Sequence, residues 1–117
     1  MKNNIRLDID HNNAKRMEFF LNNTEEHLIE IAFDWHSWHL SDRIEGGYKF
    51  RSASDKPVTI TALLCDSYED AIAIAKANAL PVLPTAKWGL NGDFLYVVES
   101  NDEEKVSEIC SFFAGKE

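Results

Sequence analysis

The sequence predicts a small α+β domain built around an antiparallel sheet. Three local patterns carry that prediction: an alternating β-branched run at 58–66, a strand–turn–strand signal at Asn91-Gly92, and amphipathic stretches following strands at 68–79 and after Asn101-Asp102. In the first run Val58, Ile60, Ala62 and Leu64 share one face, as the two-residue period of a strand requires. Ser67 then stands where a helix N-cap belongs. Asp70, three residues on, gives the capping-box spacing, and Glu69 adds first-turn negative charge that the helix dipole favours. The helix over 68–79 puts Ala71, Ile74 and Ala75 on one stripe, small enough to lie close on a sheet, and Pro81 and Pro84 end it.

Strands at 85–90 and 93–99 flank Asn91-Gly92, a pair that tolerates the positive φ values of a type I′ hairpin. Asn101 or Asp102 caps a last helix, with Val106, Ile109, Cys110 and Phe113 inward and Gly115 as its stop. Upstream, 48–53 alternates weakly and Ser54-Asp55-Lys56-Pro57 is turn chemistry, so a strand there runs antiparallel to 58–66. The segment 46–117 therefore reads β-β-α-β-β-α. Its β-α-β-β-α order resembles the ferredoxin-like superfold at the level of architecture, in a circularly permuted form. The resemblance implies both C-terminal helices on one sheet face and assigns no residue a role.

The N-terminal part, 1–45, reads as mainly helical. Ile5–Ile9 alternates like an edge strand, and 12–23 is a helix with Ala14, Met17, Phe20 and Leu21 inward. Two periodicities compete over 25–41. As a strand, Ile29, Ile31, Phe33 and Trp35 alternate with Glu30 and Asp34, but Trp38 breaks the parity. As a helix, Glu26, Glu30, Asp34, Ser37 and Ser41 form one polar stripe. The Thr24-Glu25-Glu26 start and the length favour helix, with an apolar arc wide enough to need cover on more than one side. The strand at 93–99 makes the same demand, since Phe94, Tyr96 and Val98 oppose Leu95 and Val97. A loop at 42–47 fits a division into one domain over 1–117.

Composition narrows the classes. The 117 residues carry 12 Lys+Arg and 20 Asp+Glu, a formal net charge of −8. Phosphate neutralisation needs a basic face, so nucleic acid is not an expected partner. No signal-peptide core follows Met1, and the longest apolar runs are far below the roughly 20 residues of a membrane span. A cytoplasmic location without a membrane partner is the expectation, and Cys65 and Cys110, in no metal-like spacing, fit reduced thiols.

Four constellations could carry chemistry. In Asp34-Trp35-His36-Ser37-Trp38-His39, histidines three apart on a helix could share a proton or a metal, with His27, Asp34 or Asp42 nearby. No further ligand stands at a defining offset, and the plainer reading is two satisfied interior or interface histidines, each hydrogen-bonded to backbone. Asp8-x-Asp10-x-Asn12 opens like a calcium loop, but Asn13 replaces the turning Gly and Phe19 the closing Glu. Cys65 precedes a helix N-terminus, where a thiol can be activated, yet Asp66 and Asp70 oppose a thiolate. Lys87-Trp88 beside Gly89 could form a ligand surface or be an ordinary sheet pair.

The expectation is a small non-enzymatic binding or regulatory module that self-associates, without cofactor or metal. Its ligand or partner surface would comprise Trp35, His36, Trp38, His39, Lys87 and Trp88. The alternatives are a small enzyme or metal-binding protein using His36, His39 and Asp34, and a structural protein–protein interaction domain.

Overall fold

A computed structural model describes residues 12–114 of the chain. The elements, in order, are α1 (Asn12–Asn23), β1 (Leu28–Ile31), two 3-10 turns (Trp35–Ser37 and Ser41–Arg43), β2 (Ile44–Ser52), β3 (Val58–Cys65), α2 (Tyr68–Ala77), β4 (Ala86–Asn91), β5 (Phe94–Ser100) and α3 (Glu103–Phe113). The five strands form one sheet in the order β1-β2-β3-β5-β4, antiparallel throughout. No helix among the described residues is long and apolar enough to cross a membrane.

Alternation along β3 and β5 divides the core into two layers. On one face Phe50, Ile60, Ala62, Leu64, Phe94, Tyr96 and Val98 meet Met17 and Leu21 of α1 and Val106, Ile109 and Phe113 of α3. On the other, Ile44, Leu63, Cys65 and Leu95 meet Ala71, Ile74 and Ala75 of α2, with Phe33, Trp35, Trp38, Leu40, Trp88 and Leu90 packed around them. The expectation that both C-terminal helices share a face is thus corrected. The chain leaves β3 into α2 on one side and β5 into α3 on the other. Both faces of β5 are covered by this chain itself, so the two-sided strand does not require a second subunit.

The helix expected over 25–41 does not form. Instead 28–31 pairs with β2 in register, Ile29 opposite Arg51 and Ile31 opposite Lys49, and the chain then turns twice. The Thr24 hydroxyl accepts the Glu26 N–H as a turn rather than starting a helix. The apolar residues of this segment are divided between a strand edge and a loop laid on the sheet, which a single helix could not reach. The expected loop at 42–47 is also strand. β2 begins at Ile44, with a register shift between Ile44 and Gly46.

The caps of α2 and α3 formed as read, whereas the helix start at Thr24 did not. The Ser67 hydroxyl accepts the Asp70 N–H at 3.1 Å and donates to the Asp70 carboxylate at 3.0 Å. Asp102 accepts from the N–H groups of Glu104 and Lys105. The hairpin tip moved by one residue: Asn91 pairs with Phe94, leaving Gly92-Asp93 as the turn, and only Gly92 has positive φ, at 64°. Asn91 is held in the ladder because its side-chain amide donates to the Phe113 carbonyl at 2.8 Å. Ile5–Ile9, the acids of the calcium-like motif and Gly115 lie outside the described residues.

This turn makes a first prediction. Gly92→Ala places a Cβ in left-handed backbone and should lower stability by about 1–2 kcal/mol, read from the urea midpoint. Asn91→Gly should preserve the turn but lose the bond to α3.

Candidate functional site

The aromatic loop 33–40 is the region the sequence singled out, and Gly47 determines how it sits. A Cβ built on Gly47 would lie 2.4 Å from Cδ1 of Trp35, so the indole rests directly against the β2 backbone. Phe33 meets Trp38 edge-on at 6.0 Å, and the Lys49 ammonium lies 5.7 Å from the Phe33 ring centre. The far end of the loop is fastened by Asn78 at the C-terminus of α2. Its Oδ1 accepts the His39 N–H at 3.0 Å, and its Nδ2 donates to the His39 carbonyl at 3.1 Å and the Ile74 carbonyl at 2.8 Å. Trp35, Trp38 and Trp88 are half-buried and pack against the layer that holds Leu63, Leu95 and the inner face of α2.

The histidines are not interior. His36 and Asp34 are 70% and 77% exposed, and their Nδ1–Oδ1 separation is 3.2 Å. Asp34 also accepts the His36 N–H at 3.1 Å, so it caps the 3-10 turn, and the imidazole stacks on Trp35 with centroids 3.8 Å apart. His39 is exposed and engages α2 through its backbone; His27 and Asp42 are exposed elsewhere. Among the described residues no three His, Cys, Asp or Glu side chains are placed to hold a metal ion. Lys87 does not join Trp88. It pairs with Val98 on the α1–α3 face, whereas Trp88 pairs with Val97 on the α2 face. The six expected surface residues are therefore divided. Trp35, Trp38 and Trp88 form a packed lid, His36 and His39 fringe it, and Lys87 lies across the sheet.

The cysteines are free and belong to different layers, Cys65 under α2 and Cys110 in α3. Burial pushes the Cys65 thiol up from 9.0 to about 12, reinforced by Asp93, Asp66, Asp70 and Glu45. Burial likewise raises Cys110, and it raises the Tyr96 hydroxyl to about 12.

Two surfaces escaped the sequence reading. One is the end of the sheet that α2 does not reach. There a cross-strand row runs Ile29–Arg51–Thr59–Glu99–Ala86, and the next row is Ile31–Lys49–Thr61–Val97–Trp88. Arg51, Thr59, Ala86 and Glu99 line an open depression of about 360 Å³ with Thr85 and Ser100. The alternation of Ile29 and Ile31 was the available signal, outweighed by the helical pattern. The other is a cleft of about 430 Å³ between α1 and α3, floored by Phe20, Ile109 and Phe112. Its signal is that Phe20 and Phe112 each adjoin a buried residue, Leu21 and Phe113, so each apolar stripe is wider than its inner row.

No family model, no curated protein and no solved structure matches the chain. The site therefore rests on its own chemistry: an aromatic lid consumed in packing, an exposed edge strand and an apolar cleft.

Two predictions follow from the lid and its thiol. Gly47→Ala forces Trp35 off the sheet and should cost about 1–3 kcal/mol, with a red-shifted tryptophan emission, since overpacking displaces neighbours. Because the folded Cys65 value exceeds the unfolded one, its contribution to stability is complete below pH 9 and lost as pH rises towards 12. Urea midpoints of the native chain should fall between pH 9 and 11 more steeply than those of Cys65→Ala.

Proposed function

We propose that the protein is a small non-enzymatic binding module of the cytoplasm that associates with a second copy of itself through the open edge of β1. One observation carries this reading. Ile29 and Ile31 are 52% and 36% exposed and lie side by side on a strand whose outer edge is paired by no other strand among the described residues. An edge strand offers unpaired backbone groups, and proteins usually guard it with Lys, Pro or a bulge. β1 has no Lys, Pro or bulge; its four residues are Leu-Ile-Glu-Ile, with Glu30 the one charge.

Antiparallel pairing centred on Glu30 places Ile29 of one copy opposite Ile31 of the other, with both on the α2 face. The two Glu30 side chains then face each other on the opposite side, where like charges weaken the pair. The free thiols support a reducing compartment. The same proposal reads β2 to α3 as a permuted ferredoxin-like unit. The order β2-β3-β5-β4 with α2 linking β3 to β4 supports it, and the placement of α2 and α3 on opposite faces departs from it.

Acid–base chemistry at His36 and His39 is favoured by one contact, the Asp34 carboxylate beside His36. That contact is solvated and serves a cap, so the binding reading takes precedence.

Sedimentation of the full chain across micromolar concentrations tests the edge. The wild type should dimerise, Ile31→Lys should be monomeric with an unchanged circular dichroism spectrum, and Glu30→Gln should tighten the dimer by about fivefold. A wild-type chain that stays monomeric throughout, or an Ile31→Lys variant that dimerises as well as the wild type, overturns the proposal.

A further inference from the structure

The layer of α1 and α3 holds a second feature, on the opposite side of the sheet from the lid. The two helices are anchored at both ends of their contact. At one end Lys105 of α3 pairs with Glu26, three residues beyond the end of α1, at 2.8 Å, both partly buried. At the other the Arg16 side chain donates to the Phe112 carbonyl at 2.9 Å and lies 4.5 Å from the centre of the Phe112 ring. Between these anchors the helices do not close on each other. They leave the cleft of about 430 Å³, within the range of small-molecule sites.

The composition of the cleft is selective. Phe20 and Phe112, with ring centroids 5.3 Å apart, and Ile109 offer an apolar floor. Glu26 and Lys105 neutralise each other in the wall. Glu108 stands exposed on the rim, one position before Ile109, on a helix that also carries Glu103 and Glu104. A ligand whose apolar part fills the floor meets the Glu108 carboxylate at the mouth, with Glu25 also exposed on the lining, in the field of a chain of net charge −8. An anionic ligand of the same shape would meet repulsion from Glu108.

We propose that the cleft between α1 and α3 binds a small organic cation with an aromatic or branched apolar body, its ammonium group directed to Glu108. The ring rests on Phe20, Ile109 and Phe112, where face and edge contacts between aromatic groups add to area burial. The reading goes beyond edge pairing and is independent of it, because Ile29 and Ile31 face the other side of the sheet.

The test is an amide NMR titration of the full chain with phenethylammonium and, as its charge-reversed counterpart, phenylacetate. Phenethylammonium should give saturable shifts at Phe20, Thr24, Lys105, Glu108, Ile109 and Phe112, and phenylacetate should bind at least about fivefold more weakly. Glu108→Gln, at an exposed position, should weaken the cation by about threefold, and Glu108→Lys should reverse the preference. Absence of saturable shifts at these residues overturns the proposal. So does equal binding of the two probes, or a Glu108→Lys variant that still prefers the cation.

Discussion

Burial of β3 and β5 on both faces is the constraint from which the rest of the structure follows. From Ile60 to Cys65 and from Phe94 to Val98 every residue is buried. A central strand pair of this kind needs two covering layers, and the described chain has three helices of 10–12 residues to supply them. Two of them, α1 and α3, share one face. That leaves α2 alone on the other, too short to cover it. The aromatic loop makes up the difference. Phe33, Trp35 and Trp38 bring large apolar area with few residues, and Gly47 provides the flat backbone on which Trp35 rests. Asn78 then ties the loop to α2, so the helix and the loop cover the face as one unit.

This arrangement changes what the aromatic residues mean. A tryptophan-rich, histidine-bearing segment invites a functional reading, since exposed aromatics often mark recognition surfaces. Here the indoles are half-buried against the core, and the imidazoles are left outside with a solvated carboxylate. The surplus capacity of the fold lies where the covering layers end: the β1 edge, the polar row beside it, and the gap between α1 and α3. A related asymmetry governs charge. Glu69, Asp70, Glu103 and Glu104 occupy first turns, where the helix dipole favours them. Glu25 and Glu26 do not start a helix, and Glu26 instead binds Lys105 across the layer.

Much of the fold was legible because its determinants are local. Ser67 with Asp70, Asp102, the alternation of 58–65 and the 106–109–110–113 stripe each specify an element without reference to the rest. The side of the sheet a helix takes is not local: nothing in α3 itself says which face of β5 its stripe will meet. Segment 25–41 failed for a related reason. Its period-2 and period-3.6 patterns are both present over the same residues, and the choice is made by β2, whose Lys49, Arg51 and Ser52 accept 28–31 as a partner. The Gly46-Gly47 pair read as a loop for want of side chains, although those missing side chains make room for Trp35. At the hairpin tip, local chemistry favoured Asn91-Gly92, and a tertiary bond from Asn91 to Phe113 decided for Gly92-Asp93.

The same logic separates the surfaces by how freely they can vary. Changing Trp35 or Gly47 disturbs the cover of Leu63 and Leu95, so the lid is bound to the stability of the sheet. Glu108, Ile29 and Arg51 carry no such obligation, since the side chain of each is exposed. Loops usually hold function because a rigid scaffold leaves them free. In this chain the principal loop is part of the scaffold, and the freedom has passed to the strand edge and to the rim of a helix pair. Specificity at those places can change one side chain at a time without cost to the core, which is the physical ground for seeking partners there rather than at the tryptophans.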